Sequence, residues 1–159
     1  MTEGFDVAFR AGPVGDDSLV VRPLGRTHVH CYASPSYLER HEPPRKPADL
    51  AAHDCIVYAP LAPGGRWMFR TKQRTFYTSV RGRLVVNSMP LALDAAVRGI
   101  GVARLPEALA LDAVRRGKLV ALLGSFAPPP TSVFVAYPSG APPPRVRAFL
   151  DLAAAHLAL

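Results

Sequence analysis

Only two cysteines, Cys31 and Cys55, occur in the 159 residues. A disulfide framework needs more than one possible bridge, so a buried core must hold this fold, and two structural thiols fit a cytoplasmic protein. Long hydrophobic runs are missing too. Nothing approaches the length of a membrane-spanning helix. The opening MTEGFDVAFR has neither the basic nor the apolar region of a secretory signal, so a cytoplasmic chain with no membrane partner is expected. Lysine is scarce, at three residues against 16 arginines. Acidic residues number 12 against 19 basic ones, a formal charge of +7, and none lies between Asp54 and Asp94. That imbalance points to an anionic partner, a nucleic acid or an anionic small molecule. The abundant Arg, Ala and Pro also fit GC-rich coding, which halves the weight of the charge.

What the chain does have is apolar content in regular patterns. Hydrophobic residues make up 49% of it, and its length suits one domain or two small lobes. Gly 12 and Pro 17 fall short of the share that marks disorder. Residues 5–10, 19–24 and 27–33 read as extended segments, the first followed by the turn-rich AGPVGDDS. Ser34 is a helix cap ahead of Pro35, where the missing proline N–H costs nothing. A single turn starts at Pro47, and 55–58 is a buried strand. From Arg66 to Val86 the pattern is β: Trp67 and Phe69 share one face, and Phe76, Thr78 and Val80 share a face of the next strand. Met89, Ala92, Leu93, Ala96 and Val97 then fall at helical spacing, and Gly99 stops that helix. A strand over 100–105, a helix from Pro106 to Arg116, strands at 119–123 and 132–137, and a final helix through Val146, Phe149, Leu150, Ala153 and Leu157 complete the chain. Interleaved helices and strands define an α/β architecture.

The familiar chemical motifs fail on inspection. Gly99-Ile100-Gly101 lacks the third glycine of a dinucleotide fingerprint and precedes a strand where that fingerprint follows one. There is no G-x-S-x-G elbow, and the acids are scattered, so no catalytic residue is assigned and no enzyme is expected. His28, His30, Cys31, His53 and Cys55 are metal-ligating types, yet no C-x-x-C or H-x-x-x-H spacing links them; no metal and no cofactor are expected. Arg66, Arg70, Lys72, Arg74, Arg81 and Arg83 interleave with aromatics, which permits a nucleic-acid-binding module on the 66–83 hairpin. Alternation favours the plainer reading, with aromatics facing the core and arginines facing water. Asn87-Ser88-Met89 joins a strand to a helix start, where main-chain N–H groups favour an anion, although Ser88 also serves simply as a cap.

Seven segments in order resemble one family. FDVAFR and SLVVRPLG, HVHCYASPSYLERH, PADLAAHDCIVY, the Trp67-x-Phe69 pair, GRLVVNSMPLALDAAVRGIGVARLPEAL, GKLVALL and VFVAYPSGAPPPRVRAFLDL are similar to the effector-binding domain of LysR-type transcriptional regulators. The resemblance implies an α/β, two-lobed periplasmic-binding-protein-like (type 2) fold with an incomplete, N-terminally truncated first lobe. Lobe I is then 1–33 with 126–159, and lobe II is 34–125. It implies a small organic acid effector bound between the lobes, and homo-oligomer formation. DNA binding would use a helix-turn-helix domain outside this chain. The ligand residues it suggests are Arg10, Asn87, Ser88, Met89 and Arg104, which sit where strands end at a ligand crevice, with Arg10 and Arg104 suited to a carboxylate. A small-anion binding protein of the same fold is the alternative in another class.

Overall fold

The computed structural model describes residues 6–12 and 18–156. Phe5, residues 13–17 of the predicted turn, and Leu157 lie outside the described residues. Ten strands and four α-helices follow one another: β1 Ala8–Ala11, β2 Leu19–Thr27, β3 Val29–Ala33, α1 Pro35–Leu38, β4 Cys55–Tyr58, β5 Arg66–Arg70, β6 Thr75–Ser79, β7 Gly82–Val86, α2 Met89–Val97, β8 Val102–Pro106, α3 Glu107–Arg115, β9 Val120–Leu122, β10 Thr131–Pro138 and α4 Pro144–His156. Short 3-10 turns fill several of the connections, Pro47–Ala52 among them.

The chain divides into two compact units, residues 1–27 with 130–159, and residues 28–129. The sequence placed its boundaries a few residues later at the first crossing and earlier at the second. The difference has a cause in the ladder: β3 hydrogen-bonds to β8 and β9 and so belongs with the larger unit.

In the smaller unit, β10 lies between β1 and β2, antiparallel to both. Helix α4 buries Val146, Leu150 and Ala153, and the first two pack with Val135 and Tyr137 of β10. Phe149, expected on that buried stripe, is instead 42% exposed and meets Phe9 edge to face at 6.1 Å.

The larger unit is built on a five-stranded sheet, ordered β7-β4-β8-β3-β9, in which β4 runs parallel to β7 and β8. Its two faces carry separate cores. On one, Ile56, Ala103 and Leu105 pack under α2 and α3 through Ala92, Ala96, Ala110 and Ala113. On the other, Cys31, Val57 and Val102 pack against Tyr37, Leu50, Trp67 and Phe69. The β5–β6 hairpin supplies the last two, and as the alternation predicts, Trp67 and Phe69 are 1% and 2% exposed while Arg66 and Arg70 face water.

Helices α2 and α3 end as glycine predicts. Gly99 donates to Ala96 O and Ile100 to Ala95 O; Gly117 donates to Val114 O and Lys118 to Ala113 O. Each glycine takes the left-handed conformation, at φ 73° and 67°, that this pair of closing bonds requires.

Candidate functional site

Parallel strands send their carboxyl ends to one edge of a sheet, where ligand residues are expected. In the larger unit Asn87, Ser88 and Met89 follow the carboxyl end of β7, whereas Arg104, expected at a strand end, is the middle residue of β8, because that strand continues through Leu105 to Pro106 in its pairing with β3. Ser88 caps α2: its hydroxyl accepts from Leu91 N–H at 3.5 Å, and its carbonyl accepts from Ala92 N–H at 3.1 Å. Pro90 has no N–H to offer. The capacity of this helix start for an anion therefore rests on the Met89 amide and the Ser88 hydroxyl. Asn87 is exposed, while Ser88 and Met89 are half-buried.

Arg104 is the more telling residue. It sits in β8 between the fully buried Ala103 and Leu105, cross-strand from Cys31, and is itself half-buried. Its side chain lies on the face of Val102 and Cys31, away from α2 and α3, because strand neighbours alternate. No carboxylate among the described residues pairs with it. Burial holds its pKa below the usual arginine value, against weaker opposing influences from the Cys31 thiol and the Tyr77 hydroxyl. Arginine stays charged across the physiological range even so. A half-buried, permanent cation with no anionic partner is chemically incomplete.

Four of the expected residues lie in the larger unit and Arg10 lies in the smaller one. The ladder aligns Cys55 and Ile56 of β4 with Val102 and Ala103, and Val57 and Tyr58 with Val85 and Val86. Arg104 is thus two strands, about 10 Å, from Val85, which lies two residues before Asn87. Arg10 belongs to the other unit, exposed on edge strand β1 opposite Phe134.

Tyr77 was not among the expected site residues. It is 57% exposed on the outer face of the hairpin, with the Arg66 guanidinium 5.0 Å from its ring centre. No periodicity relates residue 77 to residue 104. The cysteines take no part in the chemistry: burial pushes both the Cys31 and the Cys55 thiols up to about 12, which keeps them protonated. A groove of about 230 Å³ runs between α2 and α3 over Leu93, Val97 and Leu109. Its acids are already paired, Asp94 with Arg98 and Asp112 with Arg116.

A second polar cluster went unforeseen. Tyr37, 1% exposed, accepts from Asp54 N–H at 3.1 Å and shares a hydrogen bond with His53 Nδ1 at 3.2 Å; His41 stacks on its ring at 4.2 Å. Burial, followed by repulsion from His41, lowers the His53 pKa, against the pull of Asp49 and Asp54. A histidine with a depressed folded pKa binds fewer protons than its unfolded counterpart, so its stabilisation is complete above the unfolded value of about 6.5 and is lost as pH falls below it. Urea midpoints should therefore drop on acidification from about pH 7 toward 5, and His53→Asn, which keeps an acceptor but does not titrate, should flatten that drop. Parallel midpoint-against-pH curves for the two proteins would show that His53 is not responsible.

A mixed five-stranded sheet with α2 and α3 packed on one face is an α/β module. The comparisons give the family. The LysR substrate binding domain model matches residues 1–158, and the chain belongs to that family. It is 33% identical over 139 residues to an uncharacterized HTH-type transcriptional regulator of Haemophilus influenzae, covering 87% of this chain and 48% of that protein. It is 34% identical over 140 residues to the HTH-type regulator YhjC of Escherichia coli, covering 86% of this chain and 46% of that one. The chain thus spans about half the length of these curated relatives. The regulatory domain of CrgA from Neisseria meningitidis superposes with a TM-score of 0.84 at 27% identity, over 96% of this chain and 75% of that one. The regulatory domain of AphB from Vibrio vulnificus does so at 0.79 and 29%, with the same coverage. The fold is accordingly periplasmic-binding-protein-like, type 2, and the family is one of transcriptional regulators, not enzymes. Among the described residues no helix is long and apolar enough to cross a membrane.

Proposed function

We propose that this chain is the effector-sensing part of a cytoplasmic LysR-type regulator and that its effector is a small organic anion. The observation that carries the ligand class is Arg104: a half-buried guanidinium in the middle of β8, with no carboxylate partner among the described residues. A planar fork of this kind suits a carboxylate, and Ser88 with the Met89 amide, near Asn87, offers a second polar contact. In the proposed scheme the ligand lies between two lobes, Arg10 reaches it from the first, and its binding drives a hinge motion. The full regulator would be a homo-oligomer that reaches DNA through a helix-turn-helix domain outside this chain. No chemistry is done on the ligand.

Thermal denaturation in the presence of a panel of small aliphatic and aromatic carboxylic acids tests the ligand class. At least one acid should raise the melting temperature while its methyl ester does not, since ligand binding to the folded state stabilises by mass action. A panel without a stabilising acid, or esters that work as well as acids, would count against an anionic effector.

A further inference from the structure

We propose that the outer face of the β5–β6 hairpin is a docking surface for the phosphate backbone of duplex DNA, engaged without regard to base sequence. The inner face of the hairpin is anchored by Trp67 and Phe69 in the core, so the outer face has a fixed platform. Cross-strand pairing places Arg66 opposite Ser79 and Arg70 opposite Thr75. The connecting turn is tied down by Thr71 N–H donating to Arg74 O at 2.8 Å and Arg74 N–H donating to Thr71 Oγ1 at 3.2 Å. Lys72 and Arg74 project from that turn, exposed, and Arg81 follows just after β6, also exposed.

Of the six basic side chains from 66 to 83, Arg83 has an acidic partner among the described residues, Asp54 at 2.8 Å. The described ion pairs include none of the other five, and no acid occurs in the sequence from residue 55 to 93. Two guanidiniums are held in place by rings: Arg66 over Tyr77 at 5.0 Å and Arg74 over Phe76 at 5.7 Å. Cations fixed in this way lose less side-chain freedom on meeting an anion.

The same details choose among polyanions. A protein partner needs an apolar, charge-poor centre to its interface, and the exposed aromatic ring here, Tyr77, already carries Arg66. A single strand would bind by stacking bases on aromatic faces, and both Tyr77 and Phe76 have a guanidinium over one face. What the surface presents is a cluster of cations, which matches phosphates. The choice of DNA rests on the regulator reading; Arg104 is not among the cations of this surface.

Fluorescence anisotropy of this chain with a labelled short duplex of arbitrary sequence, across about 50 to 200 mM salt, tests the proposal. Each phosphate contact contributes about 0.9 to the slope of log affinity against log salt. The Arg70→Ser/Lys72→Ser/Arg74→Ser variant should bind at least tenfold more weakly at the low-salt end, with the slope reduced by about 2 to 3. Arg115→Ser/Lys118→Ser/Arg147→Ser, which removes equal charge elsewhere, should change the slope by less than about 1. Trp67 fluorescence checks that the hairpin is intact. If the triple variant disturbs it, Lys72→Gln alone should lower the slope by about 0.9. The proposal is overturned by the absence of salt-dependent binding, by equal losses in the two triple variants, by an unchanged slope in Lys72→Gln, or by preference for polyglutamate over duplex. None of these outcomes bears on carboxylate binding at Arg104.

Discussion

Trp67→Ala should cost the larger unit about 3–5 kcal/mol, the range for truncating a large buried aromatic. Trp67 is 1% exposed, pairs with Thr78 across the hairpin, and packs in the core that holds Tyr37, Leu50, Val57 and Val102. It is the sole tryptophan. The hairpin meets the five-stranded sheet through this core and shares no strand pairing with it, so removing the ring empties the contact that holds the two sheets together. Against a typical total stability of about 5–15 kcal/mol, the loss would be a large fraction of the whole. Urea unfolding followed by far-ultraviolet circular dichroism measures it, with Arg70→Ala, exposed on the same strand, expected to stay within about 0.5 kcal/mol of the parent. A loss below about 1 kcal/mol in Trp67→Ala would mean the hairpin is not docked as described.

Gly101→Ala is expected to be the next most damaging change, at about 3 kcal/mol, the upper part of the overpacking range. A Cβ at position 101 would meet the backbone carbonyl of Asp54, oxygen and carbon both inside contact distance. That carbonyl cannot step aside cheaply, because it accepts the Val102 N–H at 2.9 Å where β8 joins β4. The obstacle is backbone against backbone, so the clash is relieved only by parting the two central parallel strands. Trp67 fluorescence in urea reads the effect in the intact unit. Stability within about 0.5 kcal/mol of the parent would show that the strand start yields, and that the close approach is not a constraint.

Much of this fold was legible because its signals are local. Gly99 and Gly117 end their helices in the conformation that glycine adopts most easily, and Ser34 caps α1 by accepting from Tyr37 N–H at 3.2 Å. Trp67 and Phe69 alternate with Arg66 and Arg70 as a strand with one dry face must. What could not be read depends on pairs distant in sequence. Nothing around residue 101 announces Asp54, and the Tyr37 hydroxyl reaches His53 and Asp54 across 16 and 17 residues. Tyr37 and His41 do stand at i, i+4, so their contact was open to discovery from spacing alone. The contact of Phe149 with the exposed Phe9 ring joins residues far apart in sequence, which no helical periodicity encodes.

The candidate site divides along the same line. Seven segments taken in order suggest the family, and with it the edge of the sheet where a ligand is expected. That Arg104 is half-buried with no carboxylate partner among the described residues, while the acids near α2 and α3 are paired with Arg98 and Arg116, emerges only from the packed structure. Arg10 and Arg104 looked equivalent as strand-end arginines. They differ in environment, one exposed on an edge strand and the other set in the central sheet.

The most direct test is calorimetric titration of the most stabilising carboxylic acid into the parent chain and into Arg104→Ala. A charge-assisted hydrogen bond is worth about 1.5–3 kcal/mol, so the variant should bind at least tenfold more weakly while unfolding as cooperatively as the parent. Equal dissociation constants for the two proteins would contradict the assignment of Arg104 as the cation that receives the effector.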